Sequence, residues 1–154
     1  MSQRSFDIEF IERMYLTFDD ARQPKVEEIT LHRCIECDDI RDSFKSYSAR
    51  NVPGSKVEWL ASSLCFLSPV AFRHYLPRCI EFSIQNSSSP SYDNIVGFLA
   101  IQNSTDSYWK ERINQFSKKE KVIVAEYLDL LRVRKNLAVD KDELATAIQV
   151  WNAY

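Results

Sequence analysis

Ser68-Pro69-Val70-Ala71-Phe72-Arg73-His74-Tyr75-Leu76-Pro77-Arg78-Cys79-Ile80 is the stretch that decides the fold. A serine able to cap, followed by proline at the first helical position, is a strong helix start. Behind it Val70, Ala71, Tyr75, Leu76, Cys79 and Ile80 recur at helical spacing and predict a buried stripe. Pro77 lies inside the run. It removes a backbone donor and crowds the preceding turn, so the pattern predicts a central helix that is kinked or split there.

The same reading extends in both directions. Phe10, Ile11, Met14, Tyr15 and Phe18 predict a first helix over about residues 7–20, ended by a polar run that closes with Pro24. Ile40, Phe44 and Tyr47 predict a helix from Asp38 to Tyr47. Asn51-Val52-Pro53-Gly54 is a turn signal. Lys56 to Phe66 reads as helix with Val57, Leu60, Leu64 and Trp59 inward. Downstream, Ser87 to Ser91 is loop, and Asp93 to Ile101 fits a short buried helix or a strand. Ser117-Lys118-Lys119-Glu120 is a capping box opening a helix to about Lys135, with Val124, Tyr127, Leu128 and Leu131 inward. Arg132, Arg134 and Lys135 suit the C-terminal end of its dipole. Asp140-Lys141-Asp142-Glu143 opens another, carrying Leu144, Ala147, Ile148 and Trp151. The expected fold is all-α: one domain, residues 1–154, built as a bundle of six or seven helices around a Pro-kinked central one.

Composition narrows the function. Hydrophobic residues make up 45% and charged residues 27% of 154, an ordinary globular balance long enough for a core without staples. The two glycines, Gly54 and Gly97, stand against a usual share of about 7%. A phosphate loop or dinucleotide fingerprint needs several glycines for close backbone approach, so neither is expected. No apolar run nears the ~18 residues of a membrane span, and the N-terminus lacks the apolar core of a signal peptide. The expected compartment is the cytoplasm, with reduced cysteines. Residues 1–42 carry 11 acidic and 6 basic side chains, the remainder 11 and 14. With no basic stripe interleaved with aromatics, nucleic-acid binding is not expected.

Phe66-Leu67-Ser68-Pro69-Val70-Ala71-Phe72-Arg73-His74-Tyr75-Leu76-Pro77 and the upstream Cys34-Ile35-Glu36-Cys37 carry a resemblance. The chain resembles an uncharacterised family of small helical bacterial proteins with a FLSPxAFRxYLP signature and a Cys-x-Glu-Cys element, over roughly residues 29–131. The family has no assigned activity. The resemblance therefore implies a helical fold and a bacterial setting, and no mechanism.

Chemistry concentrates at His32-Arg33-Cys34-Ile35-Glu36-Cys37. His32, Cys34 and Cys37 are three of the four ligands a structural zinc takes, with Cys65, His74 or Cys79 available as a fourth only through folding. The competing expectation is that the cysteines pack as small apolar residues. A thiol-redox role is opposed by the charges of Glu36, Asp38 and Asp39. Asp19-Asp20 and Asp38-Asp39 diverge by about 100° on a helix and make no acid–base couple. Arg73, His74 and Arg78 read as a helix surface with two solvated arginines, or else as an anion or catalytic pocket. Glu36, Asp38, Asp39 and Asp42 read as an acidic helix start that suits the dipole, or else as a docking patch for a basic partner.

The leading expectation is a non-enzymatic protein-binding domain without a cofactor, in its most concrete form an immunity protein neutralising a basic toxin domain through Glu36, Asp38, Asp39 and Asp42. The alternative is a zinc-binding structural or regulatory protein using His32, Cys34 and Cys37.

Overall fold

The computed structural model describes residues 2–101, 107–134 and 139–153. Among them nine α-helices and two 3-10 turns alternate with loops, and no strand occurs. The helices are α1 (Gln3–Thr17), α2 (Val26–Ile29), α3 (Ile35–Phe44), α4 (Gly54–Ser62), α5 (Pro69–Gln85), α6 (Ser91–Ile101), α7 (Ser107–Asn114), α8 (Lys118–Val133) and α9 (Lys141–Asn152). The all-α expectation holds. Asp93 to Ile101 is helix. Two short helices, α2 and α7, exceed the expected number.

The central helix starts as its cap predicts: Ser68 Oγ accepts the Ala71 N–H at 3.1 Å. Its backbone N–H donates to Ile29 O at 2.9 Å, and its hydroxyl donates to Glu28 O, which fastens α2 across the start of α5. Pro77 does not split α5, which runs through it for 17 residues. Burial of Leu76, Pro77 and Ile80 in the middle of the bundle holds this segment in place. The α8 capping box forms in full. Ser117 Oγ accepts the Glu120 N–H at 3.2 Å, and Glu120 returns a carboxylate to the Ser117 N–H at 2.9 Å. At α9, Asp140 accepts from both Asp142 and Glu143 N–H at 2.9 Å.

One hydrophobic cluster joins all nine helices. Phe116 is its pivot, meeting Phe18, Phe72 and Trp151 edge-on at centroid distances of 5.9, 6.0 and 5.2 Å. It thereby ties the end of α1 to α5 and α9. Trp151 Nε1–H donates to Leu99 O at 3.1 Å, closing α9 on α6. Tyr127 and Ser83 share a buried hydroxyl contact at 2.8 Å between α8 and α5.

Several boundaries move. The first helix begins four residues before the expected position, because Ser2 accepts the Ser5 N–H and serves as cap. The helix expected from Asp38 begins at Ile35. Lys56 to Phe66 is α4 plus a 3-10 turn at Leu64–Phe66, with Val57, Leu60 and Leu64 buried and Trp59 largely exposed. α8 ends at Val133, and Arg134 turns away to pair with Asp7 of α1. Lys135 lies outside the described residues.

Candidate metal-ligand cluster and the surface of α3

Cys34 is the N-cap of α3, with extended backbone (φ −156°, ψ 169°), and its Sγ accepts the Cys37 N–H at 3.3 Å. A cysteine seldom fills this position, usually held by Ser, Thr, Asp or Asn. A cysteine cap carries no ordinary start signal, and α3 begins three residues before the expected Asp38. The geometry puts Cys34 and Cys37 one turn apart, on the side facing the loop that carries His32. Cys37 Sγ lies 4.0 Å from His32 Nδ1. The three prospective ligand atoms lie within 4.8 Å of one another.

The sulfurs differ in setting. Cys34 is half-buried at the surface, whereas Cys37 is fully buried. The bond from the Cys37 N–H, then those from the Cys37 and His32 side chains, lower the Cys34 thiol below its ordinary value. Burial and the adjacent Cys34 sulfur raise Cys37. The charge objection from the flanking acids weakens in three dimensions, since Asp38 is taken up by Arg41 in an ion pair. Arg41 is also held by Thr30 at 2.8 Å.

None of the proposed fourth ligands joins the cluster. His74 is committed elsewhere: its Nε2 accepts the Ala49 N–H at 3.0 Å, and Nδ1 bonds Ala21 O at 3.0 Å. Cys79 is sealed in the core. Cys65 belongs to the turn that Arg112 grips through the carbonyls of Cys65 and Leu67.

The acidic residues Glu36, Asp38, Asp39 and Asp42 are all exposed on α3. Asp38, Asp39 and Asp42 follow Ile35 at three, four and seven residues, so they share its helix face. Asp42 bonds Lys45 at 3.2 Å. Among the described residues Glu36 and Asp39 form no ion pair. The sequence reading missed two exposed apolar residues that precede these charges in the chain. Ile35 is 82% exposed and Leu31 65%, two large aliphatic side chains left in solvent beside a full core.

Arg73 and Arg78 are not solvated. Arg73 makes a two-point ion pair with Glu120, at 2.9 and 2.5 Å, and Glu120 is 1% exposed. Arg78 donates to Val52 O at 3.1 Å and pairs with Glu81 at 3.1 Å. Glu81 in turn receives the Tyr15 hydroxyl at 2.5 Å. His74 does border a cavity of about 440 Å³ with Tyr15, Arg50 and Glu12. Both of its nitrogens are occupied, and burial lowers its basicity. It is a structural histidine bridging the segments at Ala21 and Ala49.

Residues 21–154 match the model of a family of unknown function, DUF6714. The chain belongs to DUF6714. The matched range includes the Cys34–Cys37 element, the α3 surface and the α5 signature, and begins after α1. No curated protein and no solved structure matches the chain. Among the described residues of this DUF6714 protein, no helix is long and apolar enough to cross a membrane.

Proposed function

We propose that this DUF6714 protein is a non-enzymatic protein-binding domain that docks through the solvent face of α3. The observation that carries this reading is the exposure of Ile35 at the start of α3 and of Leu31 in the loop before it, on a segment whose acids Glu36, Asp38, Asp39 and Asp42 are exposed as well. Apolar centres with polar rims are the usual anatomy of interfaces. The α3 backbone is held from within by Cys37, Ile40 and Phe44, so the face is presented rigidly. Glu36 and Asp39, left without ion pairs among the described residues, bias the site toward a basic partner and speed its approach.

In its most concrete form the protein is a bacterial, cytoplasmic immunity protein whose acids occupy the basic surface of a cognate toxin. The test is co-expression with the product of the adjacent gene, followed by titration calorimetry of the purified pair. Ile35→Asp should weaken the complex by about 10-fold or more, the cost of losing a central apolar contact worth ~1.4 kcal/mol or above. A neighbour with no toxin domain, or the lack of any complex, overturns the immunity reading. A complex indifferent to Ile35→Asp and Leu31→Asp overturns the α3 face.

A further inference from the structure

We infer that His32 Nδ1, Cys34 Sγ and Cys37 Sγ form a three-ligand site for a thiophilic divalent cation, zinc being the best match, with a fourth position open to solvent. The inference stands apart from the docking reading and uses different atoms of α3.

Distances carry the argument first. Zinc–sulfur bonds of about 2.3 Å and zinc–nitrogen bonds of about 2.0–2.1 Å, set tetrahedrally, place ligand atoms roughly 3.5–3.8 Å apart. The cluster needs little contraction to reach that. Cys37 Sγ and His32 Nδ1 are at 4.0 Å, and the widest separation is no more than 4.8 Å. A disulfide would need the two sulfurs at about 2.05 Å. All four cysteines are free thiols.

The donors are also arranged for a cation. Cys34 Sγ is fixed at the start of α3 by the Cys37 N–H at 3.3 Å, which holds it on the side of Cys37 and His32. His32 approaches with Nδ1 toward Cys37, leaving Nε2 for solvent or an outer partner, as metal-bound histidines require. The pair Cys34–Cys37 is one helical turn, and His32 comes from the loop pinned by the Arg41–Thr30 bond at 2.8 Å.

Three ligands make an open site. His74 is bonded at both nitrogens, Cys79 is sealed in the core, and Cys65 is not among the three clustered ligands, so the fourth position is left to solvent on the side of the exposed His32. Sites with three protein ligands and an exchangeable fourth are those that accept a substrate, an anion or a partner side chain.

The experiment uses the full chain, reduced and stripped of metal, titrated with Co²⁺ and then with Zn²⁺ against a chromophoric chelator. One equivalent of Co²⁺ should bind with a thiolate-to-cobalt charge-transfer band that zinc displaces. Imidazole added in excess should shift the cobalt ligand-field bands by entering the fourth position. Cys34→Ser keeps a good helix cap, and His32→Gln alters an exposed residue, so both variants should fold with unchanged circular dichroism. Each should bind cobalt more weakly by at least about 10-fold, since even outer-shell losses cost 10- to 100-fold. Cys65→Ser should bind as the parent does. Absence of a charge-transfer band, or uptake unaffected in Cys34→Ser and His32→Gln, overturns the site. Half an equivalent per chain with dimerisation, or cobalt bands deaf to imidazole, overturns the open fourth position. A protein that forms the Cys34–Cys37 disulfide and takes up no metal under reduction makes the pair a redox dithiol and overturns the cation.

Discussion

Replacing Arg73 with Met should destabilise the protein far more than removing a surface arginine does. The residue lies on α5, where periodicity places it outside the apolar stripe. In the folded chain its guanidinium makes two bonds to Glu120, whose side chain is 1% exposed against 19% for Arg73. Truncation leaves a buried carboxylate holding one remaining bond, from the Ser117 N–H at 2.9 Å. Breaking one partner out of a buried pair costs about 3–5 kcal/mol. The remaining cap bond, and some water access through the Arg73 side, set the expectation near ~3 kcal/mol. For a domain of this length that corresponds to a fall in Tm of about 6–12 °C. Chemical denaturation of Arg73→Met, Glu120→Gln and the double variant isolates the coupling. The double variant should recover part of the loss, because the amide keeps the cap contact and no charge is left buried. A loss below about 1 kcal/mol for Arg73→Met, the level of an exposed ion pair, would refute the buried-pair account.

Phe116→Ala should cost about 3–5 kcal/mol by calorimetry or denaturant titration, because its ring is met edge-on by Phe18, Phe72 and Trp151; a cost under ~1 kcal/mol would contradict its place as the pivot. Burial lowers the basicity of His74, so the unfolded chain, near its ordinary ~6.5, takes up the proton at a higher pH than the folded chain does. Stability should therefore decline as pH drops below about 6.5, by at most ~1.4 kcal/mol per pH unit, and His74→Gln should flatten that part of the Tm profile. Glu28 is held down to about 2 by Arg22 and the Lys25 N–H. Its contribution is complete above the ordinary carboxylate value and is lost as pH falls from there toward 2. In Arg22→Gln, carboxylate NMR titration should find Glu28 displaced upward; an unmoved titration would show that the Arg22 bonds do not persist in solution.

What could be read in the sequence follows how local the causes are. The starts of α5, α8 and α9 were legible because a cap is made within four residues: Ser68 to Ala71, Ser117 to Glu120, Asp140 to Glu143. α2 is only four residues and depends on Ser68, forty residues on. Its local support is the Lys25 N–H on the Glu28 carboxylate at 2.9 Å, and four residues are too few to show a helical period. α7 escaped for a different reason. Its inward positions include Arg112, which is fully buried, lies over the Tyr108 and Trp109 rings at 4.0 and 5.1 Å, and reaches the carbonyl of Leu67. A helix whose buried face is an arginine on aromatics does not show as apolar periodicity. Arg73 and Arg78 were misread on the same grounds, their acceptors on Glu120 and Val52 being remote in sequence.

At α3 the same distinction separates the two proposals. The nearness of His32, Cys34 and Cys37 was written into a six-residue stretch, and folding had only to start the helix at the first cysteine. The exposure of Ile35 and Leu31 was not, since the inward face of α3 is taken by Cys37, Ile40 and Phe44. Ile35 nonetheless sits between the two sulfurs in the chain, on the opposite side of the same helical turn from Cys37. A cation that locked His32 to this turn would order the loop carrying Leu31 as well, so both apolar side chains would be fixed by the same bond. The variants keep the ideas separable. Ile35→Asp touches no donor atom and should bind cobalt as the parent does, while Cys34→Ser leaves every side chain of the docking face in place. If Cys34→Ser weakens the partner complex as well as the metal, the cation supports the face. If it weakens the metal alone, the two properties share a helix and nothing more.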